Sequence, residues 1–128
     1  MKSIFTLFFL SALILSCTPE EKETAFEPLE YNLFFGDNKA GYFKSGLTAD
    51  GAYRYEMEFN DRGRGPHLVE TIRLNTEGFP ENIEILGHNY LKDTVSESFR
   101  SNGNKVQWQS TSEQGTVPRT APGFYVGA

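Results

Sequence analysis

Cysteine is nearly absent from this chain. Cys17 is the only one in 128 residues, so no intramolecular disulfide can form and stability has to come from a core. Histidine is almost as scarce: His67 and His88 are the only two, and no His-x-His occurs, which leaves no metal-ligand spacing in the sequence. There is no Gly-x-Ser-x-Gly turn and no phosphate-binding glycine loop, so two common routes to hydrolase or nucleotide chemistry lack their motifs. Helical periodicity is missing as well. The best candidate, Asn89 to Ser98, contains Thr94 and Val95 and alternates instead of recurring every three or four residues. Positive charge is in deficit: without Lys2 the 12 basic residues fall to 11, against 17 acidic ones, a net charge of −6. That balance excludes a general attraction to nucleic acid.

An apolar run long enough to cross a bilayer is also lacking. Ile4 to Leu15 is apolar apart from Thr6, Ser11 and the small Ala12, well short of the roughly 20 residues a spanning helix needs. Behind the basic start Met1-Lys2, a run of that length matches the hydrophobic part of an export signal. It ends in Ile14-Leu15-Ser16-Cys17, which resembles a lipobox, in which the cysteine receives a diacylglyceryl group and becomes the mature N-terminus. The plainer reading, a thiol beside an ordinary signal-peptidase site, does not account for the position of Cys17 at the end of the run. Residues 1–16 are therefore expected to be a lipoprotein signal peptide and Cys17 the lipid attachment point. The chain is expected to be exported and held on a bacterial membrane, the outer membrane, periplasmic or surface-facing, by its acyl chains. Residues 17–28, with Glu20-Glu21-Lys22-Glu23, are polar and aperiodic and read as an acidic tether.

What remains, residues 29–128, is enough for one domain. Period-two alternation dominates it. In Tyr53-Arg54-Tyr55-Glu56-Met57-Glu58-Phe59 every odd residue is large and apolar and every even one is polar, the pattern of a strand with one wet face. Weaker versions recur at Tyr31, Leu33 and Phe35, at Ile83 and Ile85, at Val95 and Phe99, and at Val106 and Trp108. Turn-forming clusters separate them: Gly36-Asp37-Asn38, Ala49-Asp50-Gly51, Thr76-Glu77-Gly78 and Asn102-Gly103-Asn104. Short turns between successive strands impose antiparallel pairing. The expected fold is all-β, a single antiparallel meander of about seven strands forming a curved sheet or open sandwich around an aromatic-rich face.

The stretch Phe59-Asn-Asp-Arg-Gly-Arg-Gly-Pro-His67 concentrates charge between two strands. Its composition is explained by a connection: Gly63 and Gly65 permit positive φ, Asp61 closes a turn and Pro66 delays the next strand, which leaves Arg62 and Arg64 in water. A sharper possibility begins with Glu70, which interrupts the apolar face made by Leu68, Ile72 and Leu74. A carboxylate there needs a partner or access to water. Arg62, Arg64 and His67 are the nearby candidates, and His67 is the expected neighbour. The four together are a candidate polar cluster or anion site, unless a bulge or sheet edge leaves Glu70 wet. His88, in Gly87-His88-Asn89-Tyr90, is expected to cap a strand.

From about Tyr31 onward the chain is similar to the N-terminal region of exported bacterial amidohydrolase-family proteins, relatives of imidazolonepropionase. Asn60-Asp-Arg-Gly-Arg-Gly-Pro66 and Gly87-His-x-Tyr-Leu-Lys92 carry the likeness. It implies a metal-dependent (β/α)₈ barrel farther along, whose His-x-His and other ligands hold zinc or a similar ion that activates water. None of those ligands is present in this sequence, so no catalytic residue and no cofactor can be assigned within it. On this reading the chain is a non-catalytic β domain, truncated at its apolar end Gly123-Phe-Tyr-Val-Gly-Ala128, and its partners are the membrane and the barrel. The alternative is a complete, non-catalytic lipoprotein whose sheet binds an apolar ligand or a protein.

Overall fold

The computed structural model describes residues 29–120 and Tyr125; the expected signal peptide, Cys17 and the tether lie outside the described residues. Within them the fold is all-β, as the alternation implies, with eight antiparallel strands in one open sheet. They are β1 (Leu29–Phe35), β2 (Asn38–Leu47), β3 (Tyr53–Phe59), β4 (His67–Leu74), β5 (Pro80–His88), β6 (Thr94–Ser101), β7 (Lys105–Gln109) and β8 (Gln114–Pro118). Strand order in space is strand order in sequence. Eight strands exceed the expected seven by one. In β8 only Val117 is a large apolar side chain, too little alternation for a period to be read.

The connections are tight because polar side chains close them. Asn75 Oδ1 accepts from the backbone N–H groups of Glu77 and Phe79, both at 3.0 Å. Asn89 Oδ1 does the same for Leu91 at 2.9 Å and Asp93 at 3.0 Å. Such Asx turns replace ladder hydrogen bonds where the chain reverses.

The register sorts the side chains onto two faces. In the first row of one face, Tyr31, Phe43, Met57, Leu68, Gly87 and Val95 lie opposite one another across six strands. A parallel row runs through Leu47, Tyr53, Ile72, Ile83, Phe99 and Trp108. Aromatic neighbours touch along the face, with ring centroids 6.5 Å apart for Tyr31 and Phe43 and 6.2 Å for Phe43 and Tyr55. The opposite face is polar: Tyr42, Glu58, His67, His88 and Thr94 share one of its rows.

Among the described residues the apolar face of this single sheet meets no second layer of strands or helices, and only Tyr125 packs on it, against Phe99. Besides Pro80, only Ala52, Ile83 and Phe99 are buried apolar side chains among the described residues, while Tyr31 remains 56% exposed and Phe35 72%. No second layer of secondary structure lies over either face among the described residues.

Candidate functional site

The row between the two apolar ones holds Ser45, Tyr55, Glu70, Ile85 and Glu97. Two carboxylates thus enter the apolar face, one on each side of Ile85. Around them the sheet surface forms a cavity of about 260 Å³, walled by Phe43, Tyr55, Met57, Leu68, Ile85 and Val95 and open to Glu70 and Glu97. Strands place these groups, so their spacing is set by the ladder.

The two carboxylates differ in their surroundings. Glu97 is only 6% exposed, and the Tyr125 hydroxyl donates to its Oε2 at 2.9 Å. The Tyr125 ring lies against Phe99, centroids 5.5 Å apart. Burial, followed by the hydrogen bond to Glu97, pushes the Tyr125 phenol up to about 12, because a phenolate beside that carboxylate would lose its proton bond and gain a repulsion. Glu70 has no such partner. No hydrogen bond or ion pair to it is found among the described residues, and burial alone raises its pKa.

On the polar face a network centres on Glu56. Tyr42 donates to Glu56 Oε1 at 2.7 Å, and His67 Nε2 stands 3.4 Å from the same oxygen. Arg54 Nη2 is 3.5 Å from Oε2. The Tyr42 bond is the main reason the Glu56 pKa is lowered, with His67 and Arg54 adding to it. It also carries the Tyr42 phenol up to about 12. His88 ends β5, its ring 6.0 Å from that of His67, and its Nδ1 accepts from the His67 backbone N–H at 3.3 Å.

The charged connection between β3 and β4 is a folded loop. Asp61 and Arg64 exchange backbone bonds at 2.6 and 3.0 Å, and Asn60 Oδ1 accepts from the Gly63 N–H at 2.8 Å. The loop docks on the next turn of its side of the sheet. Gly65 N–H donates to the Tyr90 carbonyl at 3.0 Å, Tyr90 Oη donates to Asp61 Oδ2 at 2.9 Å, and Lys92 Nζ donates to the Gly65 carbonyl at 3.0 Å. The Arg64 guanidinium lies 5.5 Å from the Tyr90 ring centroid. The Arg62 side chain is 89% exposed and that of Arg64 57%, and the carboxylate near both is Asp61.

The four residues of the candidate cluster are therefore not brought together. His67 and Glu70 stand three positions apart on β4, an odd interval that sends them to opposite faces, and the expected contact between them is replaced by His67 with Glu56. Sequence reasoning missed Glu97 and Tyr125. The signal for Glu97 was present, since it shares the parity of Val95 and Phe99, but its pairing across β5 with Ile85 and Glu70 depends on register.

A larger depression, about 640 Å³, lies over β6 to β8 and is lined by Arg100, Gln107, Gln109 and Gln114 among others. Apart from Arg100 its polar lining is neutral, and it gathers no acid–base pair. Among the described residues no group of three or more His, Cys, Asp or Glu is placed to hold a metal ion, and no helix is long and apolar enough to cross a membrane. The donor set of a zinc site is not assembled by these residues. Comparison with family models, with curated proteins and with solved structures returned no match to this chain.

Proposed function

We propose that this chain is the non-catalytic β domain of a lipid-anchored hydrolase of the amidohydrolase superfamily. In this reading Cys17 fixes it to the membrane, and its apolar sheet face receives the metal-dependent barrel that performs the chemistry. The observation that carries the reading is the uncovered face. Rings at Tyr31, Phe43 and Tyr55 run across three strands with no second layer of strands or helices over them among the described residues, and a surface of that kind marks an interface. The fragments Asn60 to Pro66 and Gly87 to Lys92, which carry the family resemblance, meet in space through the Gly65, Asp61, Tyr90 and Lys92 contacts.

The source genome read past codon 128 tests this directly. An in-frame barrel with His-x-His supports the reading. A stop codon followed by an unrelated gene, together with lipid or another apolar molecule co-purifying with the chain, would favour the free-standing ligand-binding lipoprotein.

A further inference from the structure

Glu70 is the one charged group of the cavity for which the described residues supply no counterpart. It faces Tyr55 on one side and Ile85 on the other. Glu97, the other carboxylate of that row, is already engaged by the Tyr125 hydroxyl at 2.9 Å. As the surface stands, water can still reach Glu70. Once a protein body lies over the face that water is lost, and a carboxylate sealed unpaired among apolar side chains is strongly unfavourable. A cover can satisfy Glu70 with a cation, with a neutral hydrogen-bond donor or by leaving it protonated, and of these a cation alone keeps the carboxylate charged and dry.

The cavity itself selects the kind of cation. Its volume, about 260 Å³, suits one long side chain. The Phe43 and Tyr55 rings, 6.2 Å apart, line the cavity, and aromatic rings attract a planar guanidinium, which is more weakly hydrated than an ammonium. Met57, Leu68 and Val95 provide apolar wall for a methylene stem. The raised pKa of Glu70 agrees with a carboxylate built to gain a partner.

We propose that Glu70 is the docking point for an arginine side chain of the protein body that covers this face, its guanidinium on the carboxylate and its stem against Met57, Leu68 and Val95. This rests on the reading that a protein covers the face, and it adds the chemistry by which the two are held in register.

The test uses the full chain in detergent micelles and two probes of one shape, n-butylguanidinium and neutral n-butylurea. Met1 and Met57 are the only methionines, so methyl-labelled methionine gives Met57 a readily assigned reporter inside the cavity. The Met57 resonance should respond to butylguanidinium at about one tenth of the concentration needed with butylurea, the discrimination expected of one charge-assisted pair that water partly reaches. Glu70→Gln, which keeps the shape of the side chain, should erase that preference. Equal response to both probes, or a preference that survives Glu70→Gln, would overturn the inference. The outcome is independent of what lies beyond codon 128: a missing barrel would defeat the domain reading and leave the probe result standing, whereas equal probes would remove the arginine and leave the domain reading intact.

Discussion

Tyr42 and Glu56 sit diagonally across β2 and β3, joined by a 2.7 Å hydrogen bond from the phenol to Oε1. The bond is half-exposed and its acceptor is charged. Tyr42→Phe should therefore cost about 1 kcal/mol in urea unfolding, near the middle of the usual range for one hydrogen bond. The same change should let the Glu56 pKa rise, because the Tyr42 bond is the first cause of its depression. Carboxyl titration followed by NMR reads that change.

Glu56 and Glu70 act in opposite senses on stability as pH changes. The depressed Glu56 contributes stability that is present above its unfolded pKa, about 4.3, and lost as pH falls through the folded value. Glu70 is raised, so its contribution is present below the unfolded pKa and lost as pH rises through the folded one. Glu70→Gln should match the parent chain at acid pH and exceed it at neutral pH. The gain should be about 0.5 kcal/mol, less than the ~1.4 kcal/mol that a tenfold change in proton affinity represents, because the carboxyl still reaches water. Unfolding curves across that pH range would show the divergence, and parallel curves would contradict it.

In the β3–β4 loop the glycine should matter more than the arginines. Gly65 has φ +128, and a Cβ there would run into the Phe59 carbonyl. Gly65→Ala should cost more than about 2 kcal/mol, combining an unfavourable φ with a backbone collision. Arg62→Ala with Arg64→Ala should cost no more than about 0.5 kcal/mol, as for other solvated side chains. Thermal or urea unfolding of the three chains would rank them.

Tyr125→Phe should destabilise by about 1.5 kcal/mol, because it removes a donor from the buried Glu97 carboxylate while keeping the ring on Phe99. In the parent chain the phenol should resist ionisation until about pH 12. An ultraviolet titration comparing the two would isolate its contribution.

If Cys17 is the proposed lipid attachment point, Cys17→Ser should abolish membrane fractionation, because acyl chains there would be the anchor. Mass spectrometry of the parent should find an acylated N-terminal cysteine. An unmodified soluble product starting elsewhere would contradict the lipobox reading.

The legible part of this protein was its alternation. Tyr53 to Phe59 announces a strand with one wet face, and the turn clusters around Gly36, Gly51, Gly78 and Gly103 each sit where the chain reverses, with φ between +62 and +86. Faces within a strand follow from parity alone, which is why Glu70 could be placed among Leu68, Ile72 and Leu74. Contacts between strands do not follow so simply. The assembly of Glu70 with Glu97, and of His67 with Glu56, depends on bulges and loop lengths that shift one strand against the next, as at Leu33/Phe34 and Arg73/Leu74. Tyr125 was beyond reach for a related reason, since no pattern in a short C-terminal stretch says which side chain it will meet.

Each strand of this sheet pairs only with the strands before and after it in the chain. The molecule is in that respect a one-dimensional stack, and its cooperativity has to be transmitted strand by strand. Pairing can begin at any hairpin and spread outward, with short loops to close at each step, so folding should be fast for an all-β chain. The same connectivity makes the ends expendable. β8 can peel from β7 without disturbing β2, and among the described residues no strand pairs with the outer edge of β1 or β8, so the sheet can lengthen or shorten at its margins while its middle keeps its register.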